Sequence, residues 1–290
     1  MPGGVFRRRR QKNRGMTMAI ITISRQHFST GHEICKKIAE KSGYKLYDRA
    51  AIFQKMLELG CPEEKIKAFD EIKPGLLPSL SKYNDEYLYY LKTAVLSIAA
   101  EDNCVIEGRG AYIILKDLPN MVSLRIYELR KDRVKIAMAE KNVDEKKALK
   151  LVKRSDHEQF GFIKYYFRKN ILLPFEFNLL VNAGNSDSGS IAEAAVAFAK
   201  SYVTGEKEKA GKDKLSELLV GQQIVNLLRF IYSVDIDSMR AEIDGKTVCL
   251  YGVASTKGIV DYAVKVINCE LPEYKVVSNV KVVQAGMNLR

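Results

Sequence analysis

The residues whose types and spacing suit chemistry lie between Ser24 and His32, in the stretch Ser24-Arg25-Gln26-His27-Phe28-Ser29-Thr30-Gly31-His32. It offers one guanidinium, two imidazoles, three hydroxyls and a glycine, all groups that meet phosphate oxygens, and no acid. A β-branched run, Ile20 to Ile23, precedes it and is apolar on both faces, which reads as a buried parallel strand. After it Ile34, Cys35, Ile38 and Ala39 recur at helical spacing, and Ser42-Gly43 supplies a left-handed cap. A strand, a polar turn and a helix in that order can bind phosphate. The unpaired amides of the helix's first turn and the positive end of its dipole point at the same place.

That layout is the layout of a P-loop, but the full Walker pattern takes several glycines, a lysine for the outer phosphates and a hydroxyl for magnesium. Here there is one glycine, Gly31, and no lysine before Lys36. Arg25, His27 or His32 would supply the missing charge, and Ser29 or Thr30 the hydroxyl; the competing reading is an ordinary strand-to-helix connection. Two further stretches carry groups of the same kind, Asp48-Arg49 and Gly108-Arg109-Gly110. Arg109 reads equally as a phosphate ligand and as the partner of a neighbouring acid. Asp156 and Glu158 read as a solvated helix face, and His27, His32 and His157 have no metal-ligand spacing. No dedicated metal site and no Ser-His-Asp or Cys-His arrangement is expected.

The elements that must position these groups alternate. Tyr44 to Tyr47 is a short apolar piece, Ala50 to Leu59 a helix, and Pro62-Glu63-Glu64 opens another. Lys73 to Pro78 is a break, after which Asn84 or Asp85 caps a helix with Leu88, Leu91, Val95 and Ile98 on one face. Strands follow at Cys104 to Glu107, Val122 to Tyr127 and Leu179 to Val181. Helices follow at 129–141, from Asp144 through Phe167, and at Ile191 to Val203. The alternation predicts an α/β fold, a parallel sheet sandwiched by helices with ligands at the carboxyl ends of its strands. The loop at 24–31, Asp48-Arg49 and Gly108-Arg109 all fall at such ends. Residues 205–215, charged and poor in apolar side chains, read as an exposed linker. Beyond it a small α+β unit, residues 216–290, is predicted with the order α-β-β-α-β and a hairpin turn at Asp244-Gly245.

Composition narrows the function classes. The chain of 290 residues, 47% hydrophobic, can bury two cores, and no apolar run approaches bilayer length. Five cysteines, odd in number and without a Cys-x-x-Cys pair, suit a reducing cytoplasm. The net charge of +12 invites a nucleic-acid reading, yet six positive charges sit in the arm 1–17, before any acid. That arm is either a disordered basic segment or lies ahead of a true start at Met16 or Met18; the second is favoured because Met18 directly precedes the first strand. A nucleic-acid partner is not expected.

Lined up, residues 18–204 resemble the cytidylate kinase-like family of P-loop nucleoside monophosphate kinases. The resemblance rests on Ile21-Thr-Ile-Ser-Arg25 with Gly31, Tyr47-Asp48-Arg49, Val105-Ile-Glu-Gly-Arg109-Gly, Val122-Ser-Leu-Arg-Ile-Tyr127, Lys153-Arg-Ser-Asp156-His-Glu158 before Tyr165-Tyr-Phe, and Leu180-Val-Asn-Ala-Gly184. It implies magnesium-dependent phosphoryl transfer from ATP to a nucleotide or other phosphorylated small molecule, with ATP and Mg2+ as cofactors. By the same resemblance Ser24, Arg25, Ser29, Thr30, Gly31 and His32 would hold the donor phosphates. Asp48 and Arg49 would open the acceptor pocket, Arg109 would pair with the acceptor phosphate, and Lys153 and Arg154 would close over the reaction as part of a lid. The departures are Phe28 and Thr30 in place of glycines, Glu107 and Gly110 flanking the central Gly-Arg in place of aspartates, and Gln159 in place of a lid arginine. Residues from about 216 to 284 resemble a BON domain, through Asp244-Gly245, Val248 to Leu250, Gly252 and Val276 to Val283. That implies a protein or anionic-lipid partner for the second unit. The alternative to an active kinase is a degenerate one that binds a nucleotide or anion without turnover, as a sensor or scaffold.

Overall fold

The computed structural model describes residues 19–70 and 81–283; the basic arm and the break expected at 73–78 lie outside them. Five strands, β1 (Ile20–Arg25), β2 (Lys45–Tyr47), β3 (Cys104–Glu107), β4 (Met121–Tyr127) and β5 (Leu179–Asn182), form an all-parallel sheet in the order β2-β3-β1-β4-β5. The central strand is buried on both faces because its residues serve two cores. Ile20 packs with Tyr47, Ile52, Leu91 and Ile98 on one side, and Ile21 and Ile23 with Ile34, Ile38, Leu124 and Ala195 on the other. The first layer is built by α2 (Arg49–Glu58) and α4 (Ser81–Ala99). The second is built by α1 (Gly31–Ser42) and α8 (Ser188–Tyr202), and Gly43 closes α1 in the left-handed conformation expected of it. Register then fixes the level of the strand ends. Ile23 stands opposite both Glu107 and Leu124, and Arg25 opposite Ile126, so the chain leaves β1, β3 and β4 at nearly one height.

Among the remaining elements, α3 (Glu63–Asp70) follows α2, and α5 (Ala111–Ile114) is a single turn after β3. The pair α6 (Arg130–Lys141) and α7 (Glu145–Phe167) packs as a hairpin beyond β4. Asp144 caps α7, its carboxylate accepting from the Lys147 amide at 2.8 Å. The expected cap at Asn84 or Asp85 gives way to a helix that is already formed at Ser81, the first described residue after 70.

The linker expected at 205–215 is helix. Thr204 caps α9 (Gly205–Asn226), which runs without a break into the second unit. Composition misled because Glu, Lys and Ala are strong helix formers and pair along the helix, as Glu208 does with Lys212 at 2.7 Å, while Gly211 and Leu215 are buried. The second unit has the predicted order. β6 (Ile236–Asp244) and β7 (Thr247–Ala254) form a hairpin with Gly245 at φ 56°, α10 (Lys257–Glu270) crosses, and β8 (Lys275–Val282) joins β7 in parallel. It docks on α4. The Tyr89 hydroxyl accepts from the Met239 amide at 2.9 Å, Asp85 accepts from the Ser238 amide at 2.9 Å, and Asn226 donates to Thr93 Oγ1 at 2.9 Å.

Helix α9 approaches the β4 entry so closely that a Cβ on Gly211 would fall 2.0 Å from Asn120 Oδ1 and 2.4 Å from its Cγ. Gly211→Ala in an exposed linker would be neutral or gain up to about 1 kcal/mol from reduced chain entropy. In the docked helix it is expected to destabilise by about 1–3 kcal/mol, read by denaturant unfolding of the full chain.

Candidate functional site

The loop between β1 and α1 is held by the protein's own oxygens. The Thr30 amide donates to Glu128 Oε2 at 2.8 Å and the Thr30 hydroxyl reaches the same oxygen at 3.1 Å. Ser29 Oγ donates to the Gln26 carbonyl at 2.6 Å and accepts from the Gly31 amide at 3.3 Å. Two amides at the start of α1, the groups that would greet a phosphate, are therefore already satisfied. The charges are matched too. Buried Glu107, at the end of β3, takes Arg25 Nε on one oxygen at 2.5 Å and has His32 Nδ1 2.7 Å from the other.

The missing glycines have two different explanations. Phe28 keeps the left-handed backbone that a glycine favours, at φ 55°, and its ring packs on Val134, Ala137, Ala148 and Val152 of the α6–α7 hairpin. Packing there offsets a backbone cost of about 1 kcal/mol or more. Thr30 adopts φ −65°, where no glycine is needed.

The hairpin grips the loop from outside. Arg133, 1% exposed, donates from Nε to the His27 carbonyl at 2.8 Å and forms a two-pronged pair with Asp156 at 3.0 and 2.7 Å. Gln159 donates to the Arg25 carbonyl at 2.7 Å and accepts from Arg125 at 3.1 Å, while Arg125 also donates to Ser24 Oγ at 2.7 Å. An amide can donate and accept at once, and an arginine cannot. Gln159 therefore fits this tie between α7, β1 and β4 where a lid arginine would not. Asp156, expected on a solvated face, is instead the partner of the buried Arg133.

Beside the loop lies a cleft of ≈190 Å³ walled by Arg49, Arg109, Phe162, Tyr165 and Tyr166, which shares Arg25, His27, Arg49 and Glu107 with a wider recess of ≈640 Å³. Arg109 comes from a run of three left-handed residues, Gly108 at φ 83°, Arg109 at 49° and Gly110 at 71°. A Cβ on Gly110 would stand 2.4 Å from Phe167 Cε2, so the aspartate of the resembled pattern has no room there. The Arg109 guanidinium lies 4.6 Å over the Phe53 ring and 5.1 Å over Phe162, and Arg49 lies 5.5 Å over Phe53. The two cations crowd each other. Arg49 is pushed down to about 10 by burial and then by Arg109, and burial lowers Arg109 as well. An anion in this cleft would relieve both.

The site residues expected from the sequence divide accordingly. Arg25, His27, His32, Asp48, Arg49 and Arg109 line one or other recess. Ser29 lines the wider one but spends its hydroxyl within the loop, and Asp48 spends its carboxylate capping α2, accepting from the Ala51 amide at 2.9 Å. Ser24 is buried under Arg125. Lys153 and Arg154 are not brought to the cleft. They project from the solvent side of α7, and Arg154 pairs with Glu158 at 2.6 Å. The helical phase that turns Asp156 and Gln159 inward turns these two outward. Sequence reasoning gave no role in the site to Glu107, Glu128, Arg125 and Arg133. The signal for Glu107, Arg125 and Glu128 was position, at or next to the carboxyl ends of β3 and β4, whereas Arg133 lies a turn into α6.

Comparison with known proteins agrees with the first unit. The model of the cytidylate kinase-like family matches residues 20–185. A crystal structure of an uncharacterized protein from Eubacterium ventriosum ATCC 27560 is 25% identical, with a TM-score of 0.51 over 63% of this chain and 98% of that one. Shikimate kinase from Bacteroides thetaiotaomicron superposes at 11% identity and TM-score 0.39, over 62% of this chain and 95% of its own. A gluconokinase from Sinorhizobium meliloti 1021 does so at 12% and 0.42, over 64% and 93%. A search of the curated proteins returned no match.

His27 is held down to about 4, from an ordinary 6.5, by burial first and then by Arg25 and Arg49. A histidine lowered in the folded state favours folding fully above its unfolded value, and the contribution is lost as pH falls through the folded value. Histidine-resolved NMR titration is expected to find His27 neutral throughout the range from about pH 7 to 5, and His27→Gln to flatten the decline of stability between about pH 6.5 and 4. An ordinary titration near 6.5 would contradict the crowding described for the cleft.

Proposed function

We propose, since this chain belongs to the cytidylate kinase-like family, that it is a phosphotransferase, moving the terminal phosphoryl group of ATP to a phosphate-bearing acceptor such as a cytidylate-like nucleotide. The observation that carries the reading is the Arg49–Arg109 pair, two buried guanidiniums, one lowered by the other, in an aromatic-walled cleft beside the loop. Arg109, fixed by its left-handed run and by the Phe53 and Phe162 rings, is suited to meet an acceptor phosphate with a planar fork of donors. Phe162 and Tyr165 give the cleft aromatic surface against which a base could pack. Such transfer needs positioning and charge neutralisation more than a base, and a cleft that brings two arginines together suits it.

The donor side is the loop at 24–31, with the Thr30 and Gly31 amides and Arg25 and His32 as the groups for phosphate. Among the described residues no cluster of three or more His, Cys, Asp or Glu side chains would hold a metal by itself. Magnesium needs less, because it commonly takes one or two protein oxygens beside substrate phosphates. The Glu128 carboxylate, beside the Thr30 hydroxyl, fits that role. Bound there, the ion would neutralise charge on the transferring phosphoryl group.

A second reading is favoured by one observation: the loop's amides and cations are already matched by Ser29, Glu128 and Glu107. On it the protein binds a nucleotide or anion without turning it over, as a sensor or scaffold. For the second unit we propose a BON-like role, contact with a protein or an anionic lipid, supported by its α-β-β-α-β order alone.

Coupled ATP consumption by the full chain, screened over phosphorylated acceptors including CMP, tests the proposal. Arg109→Ala is expected to lower kcat/KM for the acceptor about 100-fold through loss of two charge-assisted bonds, leaving the KM for ATP unchanged. Lys153→Ala and Arg154→Ala are expected to change neither. Calorimetric binding of magnesium-ATP with no turnover on any acceptor would leave only the second reading, and no binding at all would remove both.

A further inference from the structure

We infer that Glu128 is a built-in occupant of the donor-phosphate seat: in the ligand-free protein its carboxylate holds the amide and hydroxyl a donor phosphate would use, and phosphate enters by displacing it. The inference rests on the phosphotransferase reading of the loop and concerns how that loop is regulated.

Three observations point the same way. First, both Thr30 contacts, amide at 2.8 Å and hydroxyl at 3.1 Å, converge on one oxygen, Oε2. That is how an amide and a hydroxyl at a helix start would converge on a phosphate oxygen, with the dipole of α1 behind them. Second, Glu128 is 8% exposed yet has no ion pair with any lysine, arginine or histidine among the described residues. A buried carboxylate ordinarily needs such a partner. What balances this one is the end of α1. Third, Glu107 at the neighbouring strand end is gripped from two sides by Arg25 and His32, whereas the Glu128 carboxylate is held by Thr30 alone. Of the two acids at the loop, only Glu128 can be exchanged for a ligand oxygen without stripping a cation of its partner.

The main chain keeps the displaced residue close. Glu128 directly follows β4, and its amide donates to the Gln26 side-chain oxygen at 2.9 Å, so its backbone is tied to the loop it occupies. Occupancy then acts as a tax on binding. Apparent affinity for phosphate is the affinity of the open loop multiplied by the fraction of molecules in which Glu128 has left it. A seat filled in about nine molecules of ten would weaken binding roughly tenfold. Reduced donor affinity would thus reflect an internal competitor as well as the missing lysine.

The test uses the full chain and inorganic tripolyphosphate in the presence of EDTA, so that no metal contributes. Glu128→Gln keeps the size and the acceptor oxygen but removes the charge that rivals phosphate. Calorimetric titration is expected to show roughly tenfold tighter binding by Glu128→Gln than by the unaltered protein. Equal or weaker binding by the variant would overturn the displacement and leave the phosphotransferase reading standing. No binding by either protein would also overturn the displacement, and the phosphotransferase reading would then stand or fall on the magnesium-ATP titration. The unaltered protein gives an independent readout by NMR: the Thr30 amide and the Glu128 carboxyl carbon are expected to shift along one binding curve. A moving Thr30 signal beside a static Glu128 signal would overturn the displacement even if the variant failed to fold.

Discussion

A buried charge needs an opposite charge or a set of donors, and most of this site can be read as the working out of that requirement at the ends of three strands. Glu107 at the end of β3 stands between Arg25 and His32, both on the loop side of β1. Remove it and Arg25 and the His32 ring lose their shared partner beside the positive end of a helix, with Arg49 and Arg133 also near His27. With it in place the loop closes without the run of glycines and the lysine that such loops ordinarily use. Phe28 can then sit in a strained backbone because its ring has a pocket in the α6–α7 hairpin.

The hairpin is the second consequence. Its inward groups, Arg133, Asp156 and Gln159, hold main-chain oxygens of the loop and one another. They stabilise a shape, whereas Arg49 and Arg109 meet the open cleft. The site therefore has two electrostatic halves. The loop side is balanced by glutamates from β3 and from the end of β4, and the cleft side holds two guanidiniums whose proton affinity is lowered, Arg49 by burial and then by Arg109, Arg109 by burial. Helix α4 joins this arrangement to the second unit. Tyr87 packs against Tyr166 in the cleft wall at 5.3 Å between ring centres, and two residues on Tyr89 is buried in the core of the C-terminal sheet.

Much of the fold was legible because its strands are short β-branched runs and its helices carry regular apolar faces; β3 begins and ends where the residues change character. Arg109 was legible for a local reason, since a residue between two glycines announces an unusual backbone. Lys153 and Arg154 stand away from the cleft in the ligand-free protein because a family stretch fixes which residues are present, while the rotation of α7 decides which of them face inward. The segment 205–215 was misread because exposed linkers and charged helices share a composition; Gly211 and Leu215, the two buried residues, were the faint signal. Glu128 could not be found by spacing. Its partner Thr30 is 98 residues away and meets it only because β1 and β4 are neighbours in the sheet.

The central claim is that the loop is shaped and satisfied by the protein itself before any ligand arrives. Amide hydrogen exchange of the ligand-free full chain, resolved at residues 26–32, measures this directly. The account predicts that the Thr30 and Gly31 amides exchange as slowly as those of β1, because Glu128 and Ser29 hold them. Exchange at the rate of an open surface loop, slowed only on adding nucleotide, would contradict it and return the shaping of the loop to the ligand.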